Sequence, residues 1–101
     1  MKSLAVLLAE DRRCAILRTL VEVDGAANES ILRQSLALLG HQRELTKDNV
    51  RADLNFLSDC GLVALEWFGD KVCVAKITRR GVEVAEGRTR VEGVKKPELG
   101  D

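Results

Sequence analysis

Residues 46–63 read TKDNVRADLNFLSDCGLV, and the way this stretch folds decides the rest of the chain. Thr46 can accept a hydrogen bond from the free N–H groups of a first helical turn, and Asp48 places a carboxylate at the positive end of the helix dipole. Val50, Leu54 and Leu57 recur at spacings of four and three, so they share one face and give a helix over Thr46–Cys60 its buried side. Gly61 stands where a left-handed terminating residue is needed, and Leu62 and Val63 begin an extended apolar run directly after it. The stretch therefore predicts a capped helix, a glycine stop and an immediate strand.

Working outward, Leu62–Phe68 and Lys71–Ile77 are two strand-like runs separated by Gly69-Asp70, a two-residue signal for a tight hairpin. Val63, Leu65 and Trp67 alternate with Ala64, Glu66 and Phe68, while Val72 and Val74 alternate with Cys73 and Ala75, as in a short sheet packed on helices. Thr78 caps a further short helix holding Val82 and Ala85 and stopped by Gly87. On the other side, Lys2–Val23 carries Leu4, Leu7, Leu8, Ile16, Leu17, Leu20 and Val21 at helical intervals, with a break expected near Glu10-Asp11. Asn28 caps a second helix whose buried stripe is Ile31, Leu32, Ser35, Leu36 and Leu39, and Gly40 ends it. The connection from Gly40 to Leu45 is longer than a minimal turn, and His41 within it reads as solvated or capping. Beyond Arg88, low periodicity and Pro97 predict an arm.

Helix, helix, turn, helix, hairpin, helix is the order of a winged helix-turn-helix. The expected fold class is α+β, mainly helical, with a short two-stranded wing and a C-terminal helix plus arm. Residues 1–90 form the domain and 91–101 a flexible arm. Leu54-x-x-Leu57-x-x-x-Gly61-Leu62-Val63 with Thr78-x-x-Gly81 resembles that superfamily's third helix, wing and last helix. A narrower resemblance spans nearly the whole chain. Glu10-Asp11-Arg12-Arg13, Ile16-Leu17-Arg18, Asn28-Glu29-Ser30, Gly40-His41, Val50-Arg51-x-Asp53-Leu54, Thr78-x-Arg80-Gly81 and Gly93-Val94-Lys95-Lys96-Pro97 resemble the small winged-helix proteins encoded by Mu-like prophages. That resemblance implies the fold and a phage origin, with some members regulator-like, and it supplies no catalytic or ligand motif.

Chemistry is sparse. A chain of 101 residues makes one domain with a single modest core. No apolar run approaches the roughly 18–20 residues that span a bilayer. MKSLAVLLA faintly suggests a signal peptide, but Glu10-Asp11-Arg12-Arg13 follows at once without a cleavage site, so the expected location is the cytoplasm of a bacterial host. Cys14, Cys60 and Cys73 contain no close pair, which argues against a disulfide framework. With His41 they could supply four zinc ligands, but each would come from a different element, whereas structural zinc sites draw on close pairs. They read instead as small semi-buried apolar residues. No phosphate loop, nucleophile elbow or paired-carboxylate site is present, so neither an enzyme nor a cofactor is expected.

Function then falls to the surface. Steps of 100° place Asp48, Arg51, Ala52, Asn55 and Asp59 opposite the buried face of the third helix. Arg51 suits guanine and Asn55 adenine, because each can present a bidentate pattern to those base edges. Net charge is zero; residues 1–75 carry nine Lys or Arg against eleven Asp or Glu, and residues 76–96 carry seven against three. The expected function is a DNA-binding phage regulator acting as a homodimer on double-stranded DNA. Its candidate contacts are Lys47, Asp48, Arg51, Ala52, Asn55 and Lys71, with Arg79, Arg80, Arg88, Arg90, Lys95 and Lys96 on phosphates. Dimerisation is expected through the apolar stripe of Leu4, Leu7 and Leu8. The alternative is a non-enzymatic interaction module that joins another phage protein in an assembly or DNA-packaging complex.

Overall fold

The computed structural model describes residues 1–41 and 45–98. Its elements run α1 (Leu4–Glu22), β1 (Ala26–Asn28), α2 (Glu29–Leu38), α3 (Lys47–Asp59), β2 (Val63–Phe68), β3 (Val72–Ile77) and α4 (Arg79–Ala85). The fold combines four helices with a three-stranded antiparallel sheet of order β1-β3-β2, an α+β arrangement. No helix among the described residues is long and apolar enough to cross a membrane.

Each helix starts on a polar cap. Ser3, Asn28, Thr46 and Thr78 accept from the backbone N–H three residues on, satisfying donors that the helix itself leaves free. Thr78 serves twice, since its hydroxyl also donates to the carbonyl of Gly61 at 2.7 Å and ties the end of the sheet to the turn after α3. Gly61 takes the left-handed conformation its position requires, with φ +74°. The core forms where the inner faces meet: Ile16, Leu17 and Leu20 of α1, Leu32 and Leu36 of α2, Val50, Leu54 and Leu57 of α3, with Leu62, Val63 and Ala75 from the sheet side.

Several details differ from the sequence reading. α1 is one continuous helix through Glu10-Asp11, because the charges that suggested a boundary are engaged in the fold. Glu10 accepts from Lys2 at 2.7 Å, and Arg12 is buried against Asp53. On α2, Leu32 and Leu36 are buried as expected while Ile31 and Leu39 face outward, so the stripe is narrower. The hairpin closes through Gly69, Asp70 and Lys71 between Phe68 and its partner Val72, one residue longer than the Gly-Asp signal implied. Ala26–Asn28 adds a third strand, paired Ala26↔Lys76, Ala27↔Ala75 and Asn28↔Val74. Two alanines and an asparagine have weak strand propensity, and only pairing with β3 makes them a strand.

The segment after Arg90, expected as a flexible arm, is folded back on α1 as far as Glu98. Val94 and Pro97 are buried and Val91 packs on the core. Lys95 N–H donates to the Glu10 carbonyl at 3.1 Å, and Arg13 donates to the Gly93 carbonyl at 3.0 Å. Gly93 has φ +93°, and a Cβ there would meet the Phe56 ring at 2.4 Å, so glycine is needed for the segment to cross the ring so closely. Three apolar side chains at positions 91, 94 and 97 supply the adhesion that low helical periodicity concealed. Residues 99–101 of the arm, and 42–44 of the expected longer turn, lie outside the described residues.

Candidate functional site

α3 presents the surface on which recognition of a partner was expected. Asp48, Ala52, Asn55 and Asp59 form its outer strip and are all exposed, as is Lys47 at its start. Neither Asp48 nor Asp59 forms an ion pair among the described residues, so the strip is acidic at its two ends.

Arg51 is on the flank of that strip rather than its crest. Its Nε and Nη2 donate to the two carboxylate oxygens of Glu29 at 2.7 and 2.6 Å, a fork-to-fork contact. The guanidinium also lies over the Trp67 ring, 4.7 Å from its centroid. Hydrogen bonding to Glu29 raises the Arg51 pKa above an already high ordinary value. Glu29 opens α2, Arg51 lies in α3 and Trp67 in β2; one side chain thus joins three elements. One edge of the guanidinium, Nε and Nη2, is thereby taken up by Glu29.

The basic candidates do not assemble around α3. Lys95 pairs with Asp11 at 3.7 Å and Glu98 at 3.6 Å, and Arg88 pairs with Glu86. Arg90, Lys95 and Lys96 line a depression with Lys2 and Glu10 beside α1, which no residue of the outer strip of α3 enters. Arg79 and Arg80 are exposed at the start of α4, and Lys71 is exposed at the hairpin turn. Lys47, Lys71, Arg79, Arg80, Arg90 and Lys96 form no ion pair among the described residues.

Two further features escape helical-wheel reasoning. Asp53 lies on the inner side of α3, 1 % exposed, held by Arg12 and Arg13. Its carboxylate was legible only as a member of a longer motif, because a charge at a core position has no periodic signature. The second is the start of α1, where Leu4, Val6 and Leu7 are 71, 45 and 48 % exposed and Leu8 is half-buried. The apolar spacing there was visible, and the structure leaves it on the surface. Exposed Phe68 and Trp67 at the hairpin end add to the apolar surface.

His41 is mostly covered, 3.9 Å from Asp11, too far for a hydrogen bond. Cys14 and Cys73 are buried, Cys60 is half-buried, and among the described residues no three His, Cys, Asp or Glu side chains are placed to hold a metal ion.

No family model and no solved structure matches this chain. It is 44 % identical over 91 residues to the uncharacterized protein gp26 of Escherichia phage Mu, a match covering 90 % of this chain and 92 % of that protein. It is 40 % identical over 74 residues to an uncharacterized protein of Haemophilus influenzae, covering 73 % of this chain and 71 % of the other.

Proposed function

Because the chain belongs to the family of the phage Mu protein gp26, we propose that it serves a Mu-like phage as a winged-helix module whose partner is another phage protein. The element order and a hairpin joined by the short β1 support the winged-helix part. The observation that carries the partner class is the bare apolar start of α1, with Leu4, Val6 and Leu7 in contact with water on its first turn. Apolar surface gathered in this way marks an interface. The module acts by contact and performs no chemistry of its own.

DNA binding by a dimeric regulator is the second reading. Open Asn55 on α3, together with Arg79, Arg80, Arg90 and Lys96 free of ion pairs among the described residues, favours it. Against it stand Arg51, engaged by Glu29, and Asp48 and Asp59, without ion pairs among the described residues, which oppose approach to phosphates.

One experiment with two arms separates the readings. The chain is co-expressed with each protein of its phage in turn, and separately used to select from random-sequence DNA across a range of salt. A stable complex that Leu4→Asp and Leu7→Asp abolish supports the module. An enriched DNA site, with binding weakened by about 1–3 kcal/mol on Asn55→Ala and a salt slope reduced by about one unit on Lys96→Ala, replaces it with the regulator.

A further inference from the structure

The bare first turn of α1 adjoins a depression whose charges are unequally matched. Glu10 lies four residues beyond Val6 and so on the same side of the helix. Lys2 reaches it from before the helix, Nζ to Oε2 at 2.7 Å, along that side. Lys2 and Glu10 line the depression together with Arg90 and Lys96, so its border meets the apolar surface at Val6. Its other charges are mostly spoken for. Lys95 is shared between Glu98 at 3.6 Å and Asp11 at 3.7 Å. Arg90 and Lys96 are exposed and form no ion pair among the described residues, and Glu92 is the one carboxylate of the depression left beside them.

The form of this surface limits what can cover it. Backbone groups of α1 bond within the helix, and Ser3 accepts from Val6 N–H at its start, so no ladder is open to an added strand. A partner meets it through side chains. Leu4, Leu7 and Leu8 stand three and four residues apart, which makes the ridge that a second helix receives between its own rows of side chains.

We propose that the phage partner docks here through an amphipathic helix whose apolar side covers Leu4, Val6 and Leu7 and whose border toward the depression carries Asp or Glu for Arg90 and Lys96. This rests on the interaction-module reading above and adds the chemistry of the partner. Charge complementarity sets the sign: a basic border would meet two cations that no carboxylate holds, and an acidic one neutralises both. An anionic membrane fits less well. Its charge is spread evenly, and Glu10, Asp11 and Glu92 lie close to the same turns of α1, whereas a helix can place its carboxylates at Arg90 and Lys96 alone.

The probe is an array of overlapping peptides covering the proteins of the phage, with vesicles of anionic phospholipid as a second arm. Peptides that bind the parent and are lost on Leu7→Asp should carry apolar residues at helical spacing with a border of Asp or Glu. Arg90→Glu combined with Lys96→Glu raises their Kd roughly tenfold at low salt and little at high salt. Exchanging the border acids of the peptide for Lys restores binding to the doubly reversed chain. Circular dichroism identical to the parent shows that the variants fold. A basic or neutral border in the bound peptides overturns the proposal, as does a Kd indifferent to the double reversal; if Leu7→Asp still abolishes the complex, the module reading stands without it. A complex with a whole phage protein but with none of its peptides overturns it too, since the surface taken is then not a single helix. Binding to the vesicles and to no peptide gives the surface to a membrane, and a complex indifferent to Leu7→Asp removes this inference and the module's contact surface together.

Discussion

Asp53 of α3 is gripped by Arg12 of α1 at two points, Nε to Oδ2 at 2.6 Å and Nη2 to Oδ1 at 3.3 Å. Arg13 adds a third contact, Nε to Oδ1 at 3.1 Å, while its guanidinium stacks 3.9 Å above the Phe56 ring and donates to the Gly93 carbonyl. A carboxylate 1 % exposed thus organises α1, α3 and the returning C-terminal segment.

Removing that carboxylate takes a charged partner from buried Arg12 and from Arg13. Asp53→Ala is expected to cost about 3–5 kcal/mol, since breaking one half of a buried pair exposes the other to its full desolvation penalty. The denaturant midpoint measures it. Arg12→Met combined with Asp53→Leu should recover much of the loss, because paired apolar replacements remove the penalty along with the contact. An unshifted midpoint for Asp53→Ala would mean that the network contributes nothing net.

The ordinary part of the core behaves differently. Leu54 is fully buried in α3, and Leu54→Ala is expected to cost about 2–5 kcal/mol through lost transfer energy and the cavity left behind. That is a large share of what a small domain has in total. A midpoint equal to the parent's would show that the helix is rotated from the position described.

The contrast between Leu54 and Asp53 shows what the sequence could disclose. Val50, Leu54 and Leu57 announce a buried face through their spacing, and the caps Asn28, Thr46 and Thr78 announce where helices start; these are local signals, and each appears in the structure. Asp53 depends on a partner 41 residues away and Arg51 on one 22 residues away, which no local pattern encodes. The same holds for β1, a strand only through β3. Arg51 was legible as a surface residue with a bidentate fork; the sequence could not say that Glu29 would take it.

Trp67 offers a direct report on that engagement, as the only tryptophan in the chain. Arg51→Ala removes the guanidinium from its ring and strands Glu29. Emission is expected to shift to longer wavelength with greater quenching by acrylamide, and the thermal midpoint to fall. Arg51→Lys should behave nearly the same, since an ammonium cannot reproduce the fork. Emission unchanged in both variants would mean that Arg51 leaves the ring in solution and is open to a partner.

The cysteines give a final prediction, with its pH dependence. Burial pushes the Cys14 and Cys73 thiols above their ordinary value of 9.0, and for Cys73 the neighbouring Glu29 adds to the effect. The thiolate is the reactive form, so both should be slow toward a thiol reagent in the folded protein, while half-buried Cys60 reacts first. Native protein should label rapidly at one site and denatured protein at all three. In the unfolded chain these thiols ionise near 9.0, whereas in the fold they remain protonated to higher pH. The unfolded state therefore binds fewer protons above that value, and stability falls as pH rises from there toward the raised folded values. Urea midpoints that decline across this window in the parent, and decline less in Cys14→Ala with Cys73→Ala, meet the expectation. Rapid labelling of all three thiols in the native protein would show that the core around α1 and β3 is open.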